Sequence, residues 1–269
     1  MKRDGCSALI TGASAGIGRE FARQLASRAK SLVLVARRSE RLEELRGELV
    51  RINPNLTVHI HVVDLAKQSE LKELANWLDR EKIGIDLLIN NAGLGDYGSV
   101  ATSDISRDDR IINVNVSALT LLTRLLLPQM IARKNGAILN VSSTAGFLPI
   151  PGMAVYAASK AYVNSFTEAL RVELRGSGVS VLALCPGPVH TEFGEVAKRP
   201  GREPERAPEF VYVAVEKVVR DSLAALEADR PLVVPGFFMK LGMFLLRLTP
   251  MFILRRVSGL SRNDGLGSR

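Results

Sequence analysis

Cysteine is almost missing from this 269-residue chain, which holds only Cys6 and Cys185. Two cysteines so far apart build no disulfide framework, and no CxxC or Cys/His cluster suggests a metal site. A reducing cytoplasm is the expected setting. Histidine is nearly as scarce, at three residues. His59 and His61 alternate onto one face of TVHIHVV, but no third ligand accompanies them and no metal is expected there. Long apolar runs are missing as well. No window reaches the roughly 18 uninterrupted apolar residues of a membrane span. The apolar part of MKRDGCSALITGASA is about five residues, short of the roughly 7–15 of a signal peptide. Acids are in deficit, and the formal net charge is +8. No helix-turn-helix, zinc-finger or RNA-binding motif goes with that charge, and the basic residues are scattered up to the C-terminus. Nucleic acid is therefore not an expected partner, which leaves an anionic cofactor or an anionic membrane surface.

What is present is an alternation. Hydrophobic residues make up 46% of the chain, ample for one core. Short β-branched runs at 7–11, 31–36, 57–63, 85–90, 136–142 and 179–185 read as strands. Most are continuously apolar, as parallel strands covered on both faces must be. TVHIHVV alternates instead and suits a place nearer an edge. Helical patterns fall at 16–29, 40–52, 67–82, 107–133, 153–176 and 208–228, and PLVVP (231–235) offers a short last strand. Strand and helix repeating in this way predict an α/β fold, a doubly wound parallel sheet (Rossmann-like) of about seven strands in a single domain, residues 1–235, with a C-terminal helical tail. Within it, 188–208 is rich in charge, proline and glycine and reads as a lid. The tail, 236–269, is apolar and basic.

TGASAGIG (11–18) follows the first strand and opens the first helix. Gly12, Gly16 and Gly18 permit a tight turn and a close approach of backbone to a pyrophosphate, which a helix N-terminus favours electrostatically. An acid about 20 residues beyond such a turn would hold a ribose 2′-hydroxyl. Here Arg37 and Arg38 stand at that place. A guanidinium pairs with a 2′-phosphate, so NADP(H) is favoured over NAD(H). Ser14 is a further candidate phosphate contact.

Four more pieces follow in order: NNAG (90–93), Asn115 within INVNVSA, NVSSTAG (140–146), and Tyr156 separated by three small residues from Lys160. With TGxxxGxG they resemble the short-chain dehydrogenase/reductase family from residue 7 to about 191, and PGPVHT (186–191) resembles that family's turn after the sixth strand. The resemblance implies an oxidoreductase that transfers hydride between NADP(H) and a carbonyl or secondary alcohol, used by preference in the reductive direction. Tyr156 would be the general acid/base, its pKa lowered by Lys160, which would also hold the nicotinamide ribose. The resemblance implies that Ser143, rather than Ser142, would anchor the substrate oxygen, because the family pattern places its serine 13 residues before the tyrosine; alternation puts the two serines on opposite sides, so only one should be catalytic. Asn115 would hold a helix distortion and a water linking Lys160 to solvent. Cofactor contacts are implied at Ile17, at Asp64 (which is also placed to cap the next helix), at Asn91, Ala92 and Gly93, and at Pro186, Gly187, Val189 and Thr191. Asn90 would stabilise the central strand. The substrate wall is expected from Leu94, Gly95, Tyr97, Phe147, Leu148, Pro149, Met153, Val189, His190 and Phe193, mostly apolar residues that suit a lipophilic carbonyl. A 3-oxoacyl-(carrier protein) reductase and a non-catalytic NADP(H)-sensing protein are the alternatives. A homodimer or homotetramer through the helices at 107–133 and 153–176 is also implied.

The tail has no acid from Pro231 to Asn263 but carries Lys240, Arg247, Arg255, Arg256 and Arg262. Lys240 and Arg247 share one face of an otherwise apolar helix, and Pro250 should divide that helix in two. Three settings fit: packing against the domain, a subunit interface, or peripheral membrane contact through 236–262.

Overall fold

The computed structural model describes residues 5–199, 207–250 and 253. Its strands are β1 (Ser7–Thr11), β2 (Ser31–Ala36), β3 (Thr57–Val62), β4 (Leu87–Asn90), β5 (Gly136–Val141), β6 (Val179–Leu184) and β7 (Leu232–Val233). They form one parallel sheet in the order β3-β2-β1-β4-β5-β6-β7. Side chains of a strand point alternately to its two faces. Ala8, Ile10, Leu32, Leu34, Leu87, Ile89, Leu182 and Leu184 enter one core, while Leu9, Val33, Val35, Leu88, Ile138 and Val181 enter another. Both faces are covered, which explains the continuous apolar runs. TVHIHV lies at the sheet edge as β3, where His59 and His61 pack on Trp77.

The first core is roofed by α1 (Gly16–Ala26), α2 (Ser39–Ile52) and a later helix, Val215–Glu227. The second is roofed by α3 (Gln68–Arg80), by one continuous helix over Ile105–Ala132, and by a helix over Ala154–Glu173. The continuous helix comprises α4 (Ile105–Ile112), a π-helical stretch over Asn113–Ala118, and α5 (Leu119–Ala132). By length and composition it is apolar enough to cross a membrane, but its inner side packs against α3 and β5. Then come α6 (Ala154–Glu173), α7 (Phe193–Ala197), α8 (Val215–Glu227) and α9 (Phe237–Leu248).

Three expectations shift. Residues 208–214 are not helical apart from one turn at Glu209–Val211, because Val213 donates its backbone N–H to Pro188 and is drawn toward the sheet instead. The lid contains α7, whereas its residues 200–206 lie outside those described. The second tail helix, beyond Pro250, also lies outside the described residues, apart from Ile253.

The order of strands decides where the site is. From β1 the chain winds toward β3 on one side, and from β4 it winds toward β7 on the other. A crevice must open between the C-terminal ends of β1 and β4, where such sheets bind ligands.

Candidate active site

The glycine turn and the NNAG stretch meet in that crevice. Thr11 Oγ1 accepts the backbone N–H groups of Asn91 and Ala92, both at 3.0 Å. Asn91 Nδ2 donates to the carbonyls of Thr11 (2.8 Å) and Gly12 (3.3 Å). These bonds fix the two loops against each other. Gly12 has a left-handed φ of 67°, and a Cβ there would lie 2.9 Å from Ala92 Cα. Gly16, at φ 52°, faces Thr191, which brings the lid to the turn. Gly18 differs from expectation. It does not line the cavity; a Cβ on it would lie 2.4 Å from the Gly12 carbonyl oxygen, so its role is to let the helix close on the turn.

A cavity of about 580 Å³ runs from this turn along the strand ends. Gly12, Ser14, Gly16, Ile17, Arg37, Arg38, Asp64, Asn91, Ala92, Gly93, Pro186, Gly187, Val189 and Thr191 line it, together with Ser143, Tyr156 and Lys160. Asp64 does not cap α3, whose N-cap is Lys67. It accepts the Ala66 N–H at 3.2 Å, in a turn just before the helix. At the far end of the cavity, Arg38 donates to Ser14 Oγ through Nε (3.3 Å) and Nη2 (3.2 Å), while its Nη1 reaches Glu192 at 2.8 Å. Arg41 is bound to the same Glu192 carboxylate. Hydrogen bonds from Arg41 and then Arg38 hold that carboxyl below the usual carboxylate range. Sequence reasoning missed both Arg41 and Glu192. Arg41 follows Arg37 by four residues on the α2 side, a spacing that could have signalled it, but no local pattern announces Glu192.

The other end carries the reactive groups. Tyr156, Ser159 and Lys160 lie on the buried side of α6. Ser142 is buried, and its Oγ donates to the Lys160 carbonyl at 3.0 Å. Ser142 and Ser143 both line the cavity, but it is Ser143 that hydrogen-bonds Tyr156. Asn115 sits in the π-helical stretch, where the extra residue of each turn offsets its side chain. It accepts the Leu94 N–H at 2.8 Å and donates to the Leu94 carbonyl and to Ser159 Oγ, both at 2.9 Å. Asn90 donates to Asn140 Oδ1 at 2.9 Å and to Thr123 Oγ1 at 3.1 Å, tying β4 to β5 and α5.

The electrostatics correct one expectation. Lys160 does not depress Tyr156 here. Burial pushes the phenol up to about 12, only partly offset by the hydrogen bond to Ser143. Burial likewise takes the Lys160 ammonium down to about 8. Lys160 Nζ donates to the Val141 carbonyl at 2.8 Å and lies 5.8 Å from the centre of the Tyr156 ring, so the charge is near the ring rather than bonded to the hydroxyl. The protein alone therefore keeps the phenol protonated.

The wall beyond Tyr156 is formed by Leu94, Gly95, Tyr97, Leu148, Ile150, Met153, Val189 and Phe193. Phe193 packs on Tyr156 with ring centres 5.3 Å apart. Three expected wall residues lie elsewhere. Phe147 packs into a small cluster with Cys185 and Met243, Pro149 is exposed, and His190 stacks outside on Tyr212 and pairs with Glu209. The segment before residue 200 is held by a buried carboxylate: Asp96 receives Arg199 in a fork and Arg107 Nε at 2.8 Å. The Asp96 side chain keeps 6% of its exposure, so two guanidiniums balance a charge that water barely reaches.

The family described as short chain dehydrogenase matches residues 7–200. An uncharacterized oxidoreductase of Myxococcus xanthus (strain DK1622) is 40% identical over 187 residues, 70% of this chain and 73% of that protein. Among solved structures, a short-chain dehydrogenase from Sphingobium yanoikuyae in complex with NADPH is 30% identical with a TM-score of 0.80, covering 98% of both chains. One from Burkholderia phymatum in complex with NAD is 26% identical with a TM-score of 0.81, covering 100% of this chain and 99% of that one.

Proposed function

The chain belongs to the short-chain dehydrogenase family, and from that premise we propose that it is an NADP(H)-dependent reductase of lipophilic ketones or aldehydes. The single observation that carries the catalytic part is the meeting of Ser143, Tyr156 and Lys160 beside one apolar wall. The rest of the cavity suits a dinucleotide, because it runs from a glycine turn at the start of α1 along the strand ends.

The cofactor supplies hydride. The protein's own groups handle the proton and the geometry. Ser143 Oγ holds the substrate oxygen beside Tyr156. The Tyr156 hydroxyl, protonated at neutral pH because burial raises it to about 12, gives its proton to that oxygen as the carbonyl is reduced. A phenol that firmly retains its proton favours the reductive direction. Lys160, still mostly cationic below its lowered pKa of about 8, stabilises the phenolate left behind. Asn115 positions this assembly through Leu94 and Ser159. The apolar wall excludes water and accepts a lipophilic body.

The preference for NADP(H) is supported by the convergence of Arg38, Arg41 and Ser14. Two guanidiniums that share one anion, with a hydroxyl bonded to one of them, are suited to a 2′-phosphate.

The test is NADPH oxidation with a panel of lipophilic ketones and aldehydes, run beside Tyr156→Phe. Wild-type turnover should fall by about 10²- to 10⁴-fold in the variant, the usual scale of general acid catalysis. Full turnover in Tyr156→Phe would overturn the catalytic assignment, and equal efficiency with NADH would overturn the cofactor assignment.

A further inference from the structure

The helix α9 has two apolar sides, and among the described residues only one of them is packed. Met239, Met243 and Leu246 turn inward, packing with Ala183, Cys185 and Val234. Phe237, Phe238, Leu241, Phe244, Leu245 and Leu248 turn outward, each 46–73% exposed. At about 100° per residue, these six fall within one arc of roughly 120° along the whole helix. Phe210 extends the patch from a neighbouring turn, its ring 5.6 Å from that of Phe238. Scattered exposed apolar residues are ordinary, but a continuous aromatic face marks a binding surface.

We propose that this face docks on the interfacial region of an anionic lipid bilayer. Charge selects that occupant. From Pro231 to Asn263 the sequence has five basic residues and no acid. Lys240 is exposed at the margin of the stripe. A basic flank beside an aromatic face is the arrangement of helices that lie in a headgroup layer. A two-fold contact with a second copy would set the acid-free face of α9 against itself, without a carboxylate from that helix to meet Lys240. The remaining tail is no better a cover, since it brings Arg255, Arg256 and Arg262.

The surface also leads to the catalytic cavity. A cleft of about 290 Å³ between α9 and residues 210–214 shares Tyr212 with that cavity. On the inner side, Met239 packs against Gly187 of the cavity wall. A docked enzyme would therefore hold its substrate end near the acyl layer. This link rests on the lipophilic reading of the site, whereas the docking itself does not.

The test uses the full-length protein sedimented with vesicles of phosphatidylcholine alone or mixed with phosphatidylglycerol. Binding should require the anionic lipid and weaken with salt. The exposed triple variant Phe237→Ser, Phe238→Ser, Phe244→Ser should lose at least about tenfold in partitioning, and Lys240→Glu about fivefold or more. Melting curves and NADPH oxidation in the absence of lipid should match wild type, because none of these residues lines the catalytic cavity. No co-sedimentation with either vesicle would overturn the proposal, as would binding that survives the triple variant. An oligomer that the triple variant dissociates, with no vesicle binding by wild type, would assign the face to a second copy instead. Vesicle binding without turnover of any lipophilic carbonyl would leave the docking standing and remove the substrate reading.

Discussion

Replacing Lys160 by methionine should destroy activity and yet stabilise the protein without cofactor. The residue is 4% exposed and bears its charge among buried groups, with a hydrogen bond to the Val141 carbonyl. Burial lowers its pKa from 10.5 to about 8. At pH 7 the lysine is charged in both folded and unfolded chains, so folding carries a penalty of about 3 kcal/mol from this shift. Methionine fills a similar volume without the charge, but leaves the Val141 carbonyl unpaired at a cost of about 1–2 kcal/mol. The net expectation at pH 7 is a gain of about 1–2 kcal/mol for Lys160→Met. The sign of the pH dependence is sharper. Between about 8 and 10.5 the folded lysine has lost its proton while the unfolded one retains it, so the unfolded state binds more protons and stability rises with pH. Wild type should therefore gain about 2–3 kcal/mol on the variant between about pH 7 and pH 10, with all other titrating groups common to both. Urea unfolding followed by circular dichroism at the two pH values measures the difference. A difference that stays constant across that window would refute the claim that Lys160 is held as a desolvated cation.

Other perturbations reach different parts of the site. Glu192→Gln removes the carboxylate held by Arg38 and Arg41; NADPH affinity by fluorescence titration should rise about fivefold and NADH affinity should hardly change, since exposed ion pairs are worth little individually. Asp96→Asn leaves Arg107 and Arg199 without their buried counter-charge; unfolding should cost about 3 kcal/mol less, and KM should rise more than kcat falls as the lid loosens. Gly18→Ala puts a Cβ 2.4 Å from the Gly12 carbonyl oxygen; overpacking of about 1–3 kcal/mol should show as a lower Tm together with weaker dinucleotide binding.

Much of the architecture was legible because it repeats a simple rule. Strands such as SLVLVA are apolar on both faces, and the structure covers both faces. TVHIHV alternates and lies at an edge. The start of α8 was misplaced because VYV at 211–213 has no period that distinguishes a helix from a segment tied to Pro188. Alternation put Ser142 and Ser143 on opposite sides but did not show that both would line the cavity. The wall residues were read less well. Phe147, Pro149 and His190 are close in sequence to residues that do line the cavity, but a loop has no period from which to tell which side faces inward.

The sequence by itself determined the kinds of element, their order and the pieces of chemistry: glycines after a first strand, arginines after the second, and a tyrosine and lysine one helical turn apart. These are local properties, set by backbone sterics and side-chain spacing over a few residues. Tertiary structure alone decided the rest. It placed Glu192 on Arg38 and Arg41 from 151–154 residues away along the chain, gathered Arg107 and Arg199 on Asp96, and raised Tyr156 rather than lowering it. Each of these depends on which distant groups share a volume and on how far water is excluded from it, and no short stretch of sequence carries that information. The same holds for α9, which is apolar apart from Lys240 and Arg247; only the packed fold separates the apolar side it buries from the one it leaves exposed.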